Sequence, residues 1–181
     1  MYSFELKTKQ DIIDFANGCC FFGCGGGGDP EAGIKALSEV LEQGKPLKVT
    51  SFDSLKDDDV YASVFLMGSI APKTKEIEDK QRRNGVPLDP PYSPQQALSM
   101  SLDVLEEYTG KKINALFAIE LGGGNSCMPM SVGFDKGLTY IDADAAGRAY
   151  PQMVQALPLA LNKPCLPVAI VNQYGDTNIL T

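Results

Sequence analysis

Three times along this chain an apolar run breaks off at a turn marked by glycine, and that recurrence leaves few folds open. Residues 19–22 lead into Gly23-Cys-Gly-Gly-Gly-Gly28 and then Asp29-Pro30-Glu31. Residues 113–121 lead into Gly122-Gly-Gly-Asn125, and residues 138–141 into Asp142-Ala-Asp-Ala-Ala-Gly-Arg148. Each reads as a strand-to-helix turn. Strands alternating with helices predict an α/β fold with a layered, mainly parallel sheet and helices on its faces. Crossovers should be right-handed, which gathers the turns at the strand ends along one edge. The 181 residues suffice for one hydrophobic core, so a single α/β domain over 1–181 is expected.

Helix signals fill the intervals. Residues 10–17 form a first helix stopped at Gly18, after which 19–22 read as a buried strand. Asp29 before Pro30 before Glu31 combines a side-chain cap, a preset φ and an acid near the positive end of the helix dipole. That helix carries Ala32, Ile34, Leu37 and Leu41 to a stop at Gly44. Strands follow at 48–52 and, apolar on both faces, at 60–67. A charged helix is predicted at 73–84, a proline-rich loop at 86–92, and a second well-capped helix from Ser93-Pro94 to Tyr108, closed by Gly110. Beyond it come strand 113–121, helix 126–134, strand 138–141, a helix from about 149 to 161, and a last strand at 166–171.

Composition bears on the chemistry. The net charge of −7 would repel phosphate backbones and anionic lipid, so neither nucleic acid nor membrane is an expected partner. No apolar run approaches the roughly 20 residues of a membrane-spanning helix, and residues 1–10 are too polar for a signal peptide. A cytoplasmic address is therefore expected. Histidine is absent, which removes the commonest general base and metal ligand. Five cysteines in no zinc-ribbon spacing point to reduced thiols, with Cys19, Cys20 and Cys165 buried and inert.

The glycine turns carry the candidate site. Residues 23–28 satisfy GxGxxG, and Gly25, Gly26, Gly27 and Gly28 would let the backbone approach a ligand, beyond what a tight turn needs. A dinucleotide is weakly signalled: Asp53 follows a strand as a ribose-binding acid would, yet Asp29 puts negative charge where pyrophosphate belongs. No Lys-Ser or Lys-Thr follows, which excludes a Walker-type loop. Cys24, just before a helix start, is either an activated thiol or an inert one, and Cys127 is a weaker candidate. Glu120 and Asn125 flank the second turn beside Gly123, Gly124 and Ser126. Asp142 and Asp144, one residue apart, would share a face on extended backbone and serve as acid and base or as hard metal ligands. Alternatively, one caps a helix and the other pairs with Arg148.

Four ordered segments carry a resemblance: Gly23-Cys-Gly-Gly-Gly-Gly-Asp-Pro30, Met67-Gly-Ser69, Glu120-Leu-Gly-Gly-Gly-Asn-Ser126 and Ile141-Asp-Ala-Asp-Ala-Ala-Gly-Arg-Ala-Tyr-Pro151. Together they resemble the N-terminal domain of the S-methyl-thiohydantoin desulfurase family, proteins related to or encoded beside hydantoinases and oxoprolinases. The resemblance implies hydrolysis of five-membered cyclic imide or thioimide rings with release of a thiol. It also implies a β-rich C-terminal domain, which these 181 residues do not contain. The expected partners are therefore a small cyclic imide or thioimide and either further copies of the chain or a subunit carrying that domain. Carried onto this chain, Cys24 attacks the ring carbon, or Glu120, Asp142 or Asp144 activates water with or without a divalent metal such as zinc. The glycine turns would stabilise charge, and Asn125 and Arg148 would orient the ring or its acidic tail. The family's acid after the Gly-Arg-Ala-aromatic-Pro segment is Gln152 here, so no role is carried to it. Two other classes stay open: a non-catalytic assembly subunit and a nucleotide-binding oxidoreductase module.

Overall fold

The computed structural model describes residues 2–68 and 74–181, so Ser69 of the Met67-Gly-Ser69 segment and Lys73 of the predicted helix lie outside the described residues. An unpredicted strand, β1 (Ser3–Leu6), opens the chain. Thr8 and Asp11 then form a reciprocal capping box that starts helix α1 (Lys9–Phe22). This helix runs through Gly18 and takes in residues 19–22, which corrects the expected stop and strand. Ile12, Ala16 and Cys19 recur at helical spacing on its buried face, whereas Phe21 and Phe22 stay exposed. Continuing that buried stripe outweighs the ~1 kcal/mol cost of an internal glycine.

Helix α2 (Pro30–Glu42) starts where Asp29 Oδ1 accepts the Glu31 amide at 3.0 Å. Strand β2 (Leu47–Ser51) buries Leu47, Val49 and Ser51. Of the strand predicted at 60–67 only β3 (Tyr61–Ala62) pairs regularly; beyond it the chain leaves its neighbour and side chains take its polar groups. Ser63 donates to the Phe117 carbonyl at 2.8 Å, and the Leu66 amide to Asn125 Oδ1 at 3.2 Å. Helices α3 (Lys75–Arg83) and α4 (Pro94–Thr109) follow the prediction, the second ending at left-handed Gly110. Then come β4 (Ala115–Ala118), α5 (Gly123–Asp135) and β5 (Thr139–Asp144). The helix predicted at 149–161 reduces to a 3-10 turn, Met153–Gln155, and a single turn α6 (Leu157–Ala160), because Pro151 and Pro158 interrupt the hydrogen-bond ladder.

The sheet order is β1-β2-β5-β4-β3, parallel throughout except for β1. Val49, Tyr140 and Leu116 lie side by side across β2, β5 and β4 and point into the main core. There they meet Ile12 of α1, Leu37 and Val40 of α2, Leu102 of α4 and Met130 of α5. A smaller cluster of Ile119, Ala145 and Ala156, with Phe65, Phe117, Tyr150 and Met153 against it, forms apart from this core. The expected last strand does form, as β6 (Val168–Val171), but it pairs only with β7 (Thr177–Leu180) in a separate ribbon beside α4. No helix among the described residues is long and apolar enough to cross a membrane.

Candidate active site

The parallel strands β4 and β5 deliver the second and third turns to one end of the sheet, and the end of α1 delivers the first. The first turn therefore joins two helices, not a strand and a helix. That context lacks the strand a dinucleotide fingerprint requires. Its backbone is left-handed at Cys24 (φ 53°), Gly25 (85°), Gly27 (80°) and Gly28 (84°). Left-handed backbone is unusual for a residue with a side chain. Cys24 is exposed, with Sγ 3.5 Å from the Phe22 carbonyl.

Close packing joins the turns. The Gly27 carbonyl accepts the amides of Gly124 (3.1 Å) and Asn125 (2.8 Å) and so satisfies the start of α5. A Cβ on Gly27 would lie 2.5 Å from the Gly122 Cα, one on Gly28 3.2 Å from the Gly124 Cα, and one on Gly123 2.5 Å from the Pro30 Cα. Gly33 of α2 meets the Gly123 carbonyl in the same way, at 2.2 Å. Glycine at 27, 28, 123 and 124 is thus explained by two backbones in contact. A Cβ on Gly26 would lie 2.7 Å from the β-carbon of Ala149, just after the third turn, whereas one on Gly25 would meet nothing within 4 Å.

Glu120 ties the second turn to the third. It is 9% exposed, and its carboxylate accepts Asn125 Nδ2 on one oxygen and the Tyr150 amide on the other, each at 2.8 Å. Asn125 Oδ1 in turn receives the Leu66 amide. One buried carboxylate thereby holds three segments together. Burial, reinforced by the charge of Glu120, pushes the Tyr150 phenol up to about 12, and its hydroxyl donates to the Ile119 carbonyl at 3.1 Å. Ser126 is buried, bonded to Gly122 and Glu120 backbone, and belongs to the scaffold.

The turns border a cleft of about 750 Å³, lined by Cys24, Gly26, Gly27, Gly28, Glu120, Gly124, Asn125 and Arg148 among the anticipated residues. Gly25, Gly123, Ser126, Asp142 and Asp144 do not line it. Asp142 is exposed beside β2 and accepts the Tyr2 hydroxyl. Asp144 closes its own turn, accepting the amides of Ala146 (2.7 Å) and Gly147. Arg148 pairs with neither acid; its Nε donates to the Ala149 carbonyl at 3.0 Å. Among the described residues no group of three or more His, Cys, Asp or Glu side chains gathers to hold a metal ion. Cys127 sits in the core, where burial raises its thiol far above the usual range, and burial pushes Cys19 up to about 11.

Several lining residues were not anticipated. Phe65, Ile119, Met128 and Met153 supply apolar wall, and Asp29 adds a carboxylate. Asp29 was legible as a helix cap and as a negative charge at the mouth of the glycine loop but not as a site residue, and the methionines carry no local signal because thioethers fill cores as readily as clefts.

The S-Me-THD-like N-terminal domain family matches residues 10–181. The chain belongs to that family. No curated protein matches it. A solved structure that resembles this S-Me-THD-like domain is the crystal structure of a protein from Chromobacterium violaceum, a structural-genomics target. The two share 26% identity at a TM-score of 0.67, over 98% of this chain and 44% of the other. The S-Me-THD-like domain described here thus spans less than half the length of that relative.

Proposed function

We propose that this domain forms the ring-binding and nucleophilic part of a hydrolase that removes the thiol from S-alkylated thiohydantoin-like rings. The observation that carries this reading is the exposed Cys24 thiol on left-handed backbone, at the wall of a cleft shared by all three turns. Family membership supports the thiohydantoin association. The carboxylate route is less well supported: both oxygens of Glu120 are occupied, and Asp142 and Asp144 lie off the cleft.

In the first step Cys24 Sγ bonds to the ring carbon bearing the alkylthio group, that carbon's bond to the alkylthio sulfur breaks, and the Cys24 proton leaves with the departing thiolate as a free thiol. In the second, water attacks the same carbon, the Sγ–carbon bond breaks, Cys24 regains one water proton, the ring nitrogen of the former C=N bond takes the other, and the ring keeps a carbonyl. The amides of Gly27 and Gly28, both at the cleft, donate to no protein acceptor among the described residues, which leaves them available to negative charge developing on the ring. Phe65, Met128 and Met153 offer an apolar bed for the ring substituent, and Arg148 a cation for an acidic tail.

Release of methanethiol from an S-methyl-thiohydantoin tests the reading, on the chain alone and with any subunit that co-purifies with it. Cys24→Ser should abolish release and Asp142→Asn should leave it intact. Undiminished release by Cys24→Ser would refute the nucleophile.

A further inference from the structure

The second step of the proposed reaction requires a group that takes a proton from the attacking water, and the identity of that group rests on the proposed function. The chain has no histidine. Besides Cys24, the ionisable side chains lining the cleft among the described residues are Asp29, Glu120, Arg148 and Tyr150. The Arg148 guanidinium offers donors only and accepts nothing. Tyr150 is held protonated by burial and by the neighbouring charge of Glu120, with its hydroxyl already given to the Ile119 carbonyl. Glu120 is buried, and each of its oxygens is taken by an N–H at 2.8 Å. Asp29 differs from all three. It is exposed at the cleft, Oδ1 accepts the Glu31 amide at 3.0 Å, and Oδ2 has no protein donor among the described residues.

We infer that Asp29 is the general base of the second step as well as the cap of α2. It sits five residues after Cys24 on one loop, whose course is set by the left-handed Gly25, Gly27 and Gly28 and by the contact of Gly27 with Gly122. Nucleophile and base therefore move as one piece. One water proton passes to Asp29 Oδ2, the water oxygen bonds to the ring carbon, the Sγ–carbon bond breaks, and the other water proton passes to the ring nitrogen as the carbonyl forms. The Cys24 thiolate then recovers that proton from Asp29, so both groups return to their starting forms. The first step makes no use of Asp29, and the two steps can therefore be separated experimentally.

Asparagine caps helices as well as aspartate does, so Asp29→Asn keeps the start of α2 and removes only the base. Mixed with a 5-substituted S-methyl-thiohydantoin, this variant should release a burst of about one equivalent of methanethiol and then turn over roughly 100-fold more slowly than the native protein. Mass spectrometry should find the ring on Cys24, and the melting temperature should not move. Asp29→Ala, which loses cap and base together, should show the same kinetics with a lower melting temperature. Turnover by Asp29→Asn within about twofold of the native protein would overturn the assignment while leaving the proposed function standing. So would equal loss of burst and steady state in a fully folded variant. Failure of the native protein to release methanethiol would remove the proposed function, and Asp29 with it.

Discussion

Gly25 and Gly27 lie two residues apart in one loop, at φ values of 85° and 80°, and their surroundings are opposite. Around Gly27 the backbone of the second turn closes to 2.5 Å of where a side chain would begin; around Gly25 there is open space. Cys24 borders the cleft and Gly25 beside it is open to solvent, whereas Gly27 and Gly28, which also border the cleft, are locked to the start of α5. A run of glycines is therefore not one signal. Part of it keeps a reactive segment open, and part presses α2 against α5, the most heavily packed helix pair in the molecule. The locked half gives the open half a fixed position.

The sharpest way to break this contrast is to give each glycine a methyl group. In Gly27→Ala the new Cβ would collide with the Gly122 Cα and the Leu121 carbonyl, both backbone atoms that cannot yield without parting the helices. Together with the left-handed φ this should cost about 4 kcal/mol or more, measured by urea denaturation. Gly25→Ala meets only the conformational penalty, about 1 kcal/mol. Equal losses at the two positions would mean that the loop is not divided as described.

A smaller effect is expected at Glu120, which links the two halves of the cleft wall. Glu120→Gln preserves shape and leaves one acceptor where two donors converge, so either the Asn125 amide or the Tyr150 N–H faces another donor. The expected loss is about 1–3 kcal/mol by denaturation, the usual cost of a buried donor left without its partner. A neutral result would show that the second and third turns hold their places without the carboxylate.

The elements readable in advance were those with a local stop or start. Asp29-Pro30, Ser93-Pro94 and Gly110 mark their helices by side-chain capping, preset φ and left-handed backbone, and all three boundaries stand. The errors share a different cause. Residues 19–22 form a short apolar run whose state is decided by what α1 buries, and the predicted strand 60–67 finds only two residues of register with β4, Tyr61 and Ala62. The segment from 149 to 161 has helical composition, but its prolines leave no uninterrupted ladder. In the site, Glu120, Asn125 and Arg148 were legible because strand-end turns of a parallel sheet must converge, whereas Cys24 joins them from the end of a helix. Asp142 and Asp144 were grouped with them by sequence proximity to Arg148. Side-chain direction at the end of β5 separates them from the cleft, and no spacing rule reports that direction.

The weakest perturbation of the fold should have the clearest effect on binding. Arg148 is exposed and makes no ion pair among the described residues, its one bond being to the adjacent Ala149 carbonyl. Arg148→Ala should shift stability by less than about 0.5 kcal/mol, as surface substitutions generally do. The cleft, at about 750 Å³, is larger than a bare methylthio ring requires, which leaves room for an arm reaching the guanidinium. A pair of ring probes differing only by a side-chain carboxylate or its amide would report on that arm. The native protein should prefer the acid by roughly tenfold in affinity, less at high salt, and Arg148→Ala should bind both alike. A preference that survives the substitution would place the anion elsewhere, on the amides of Gly27 and Gly28.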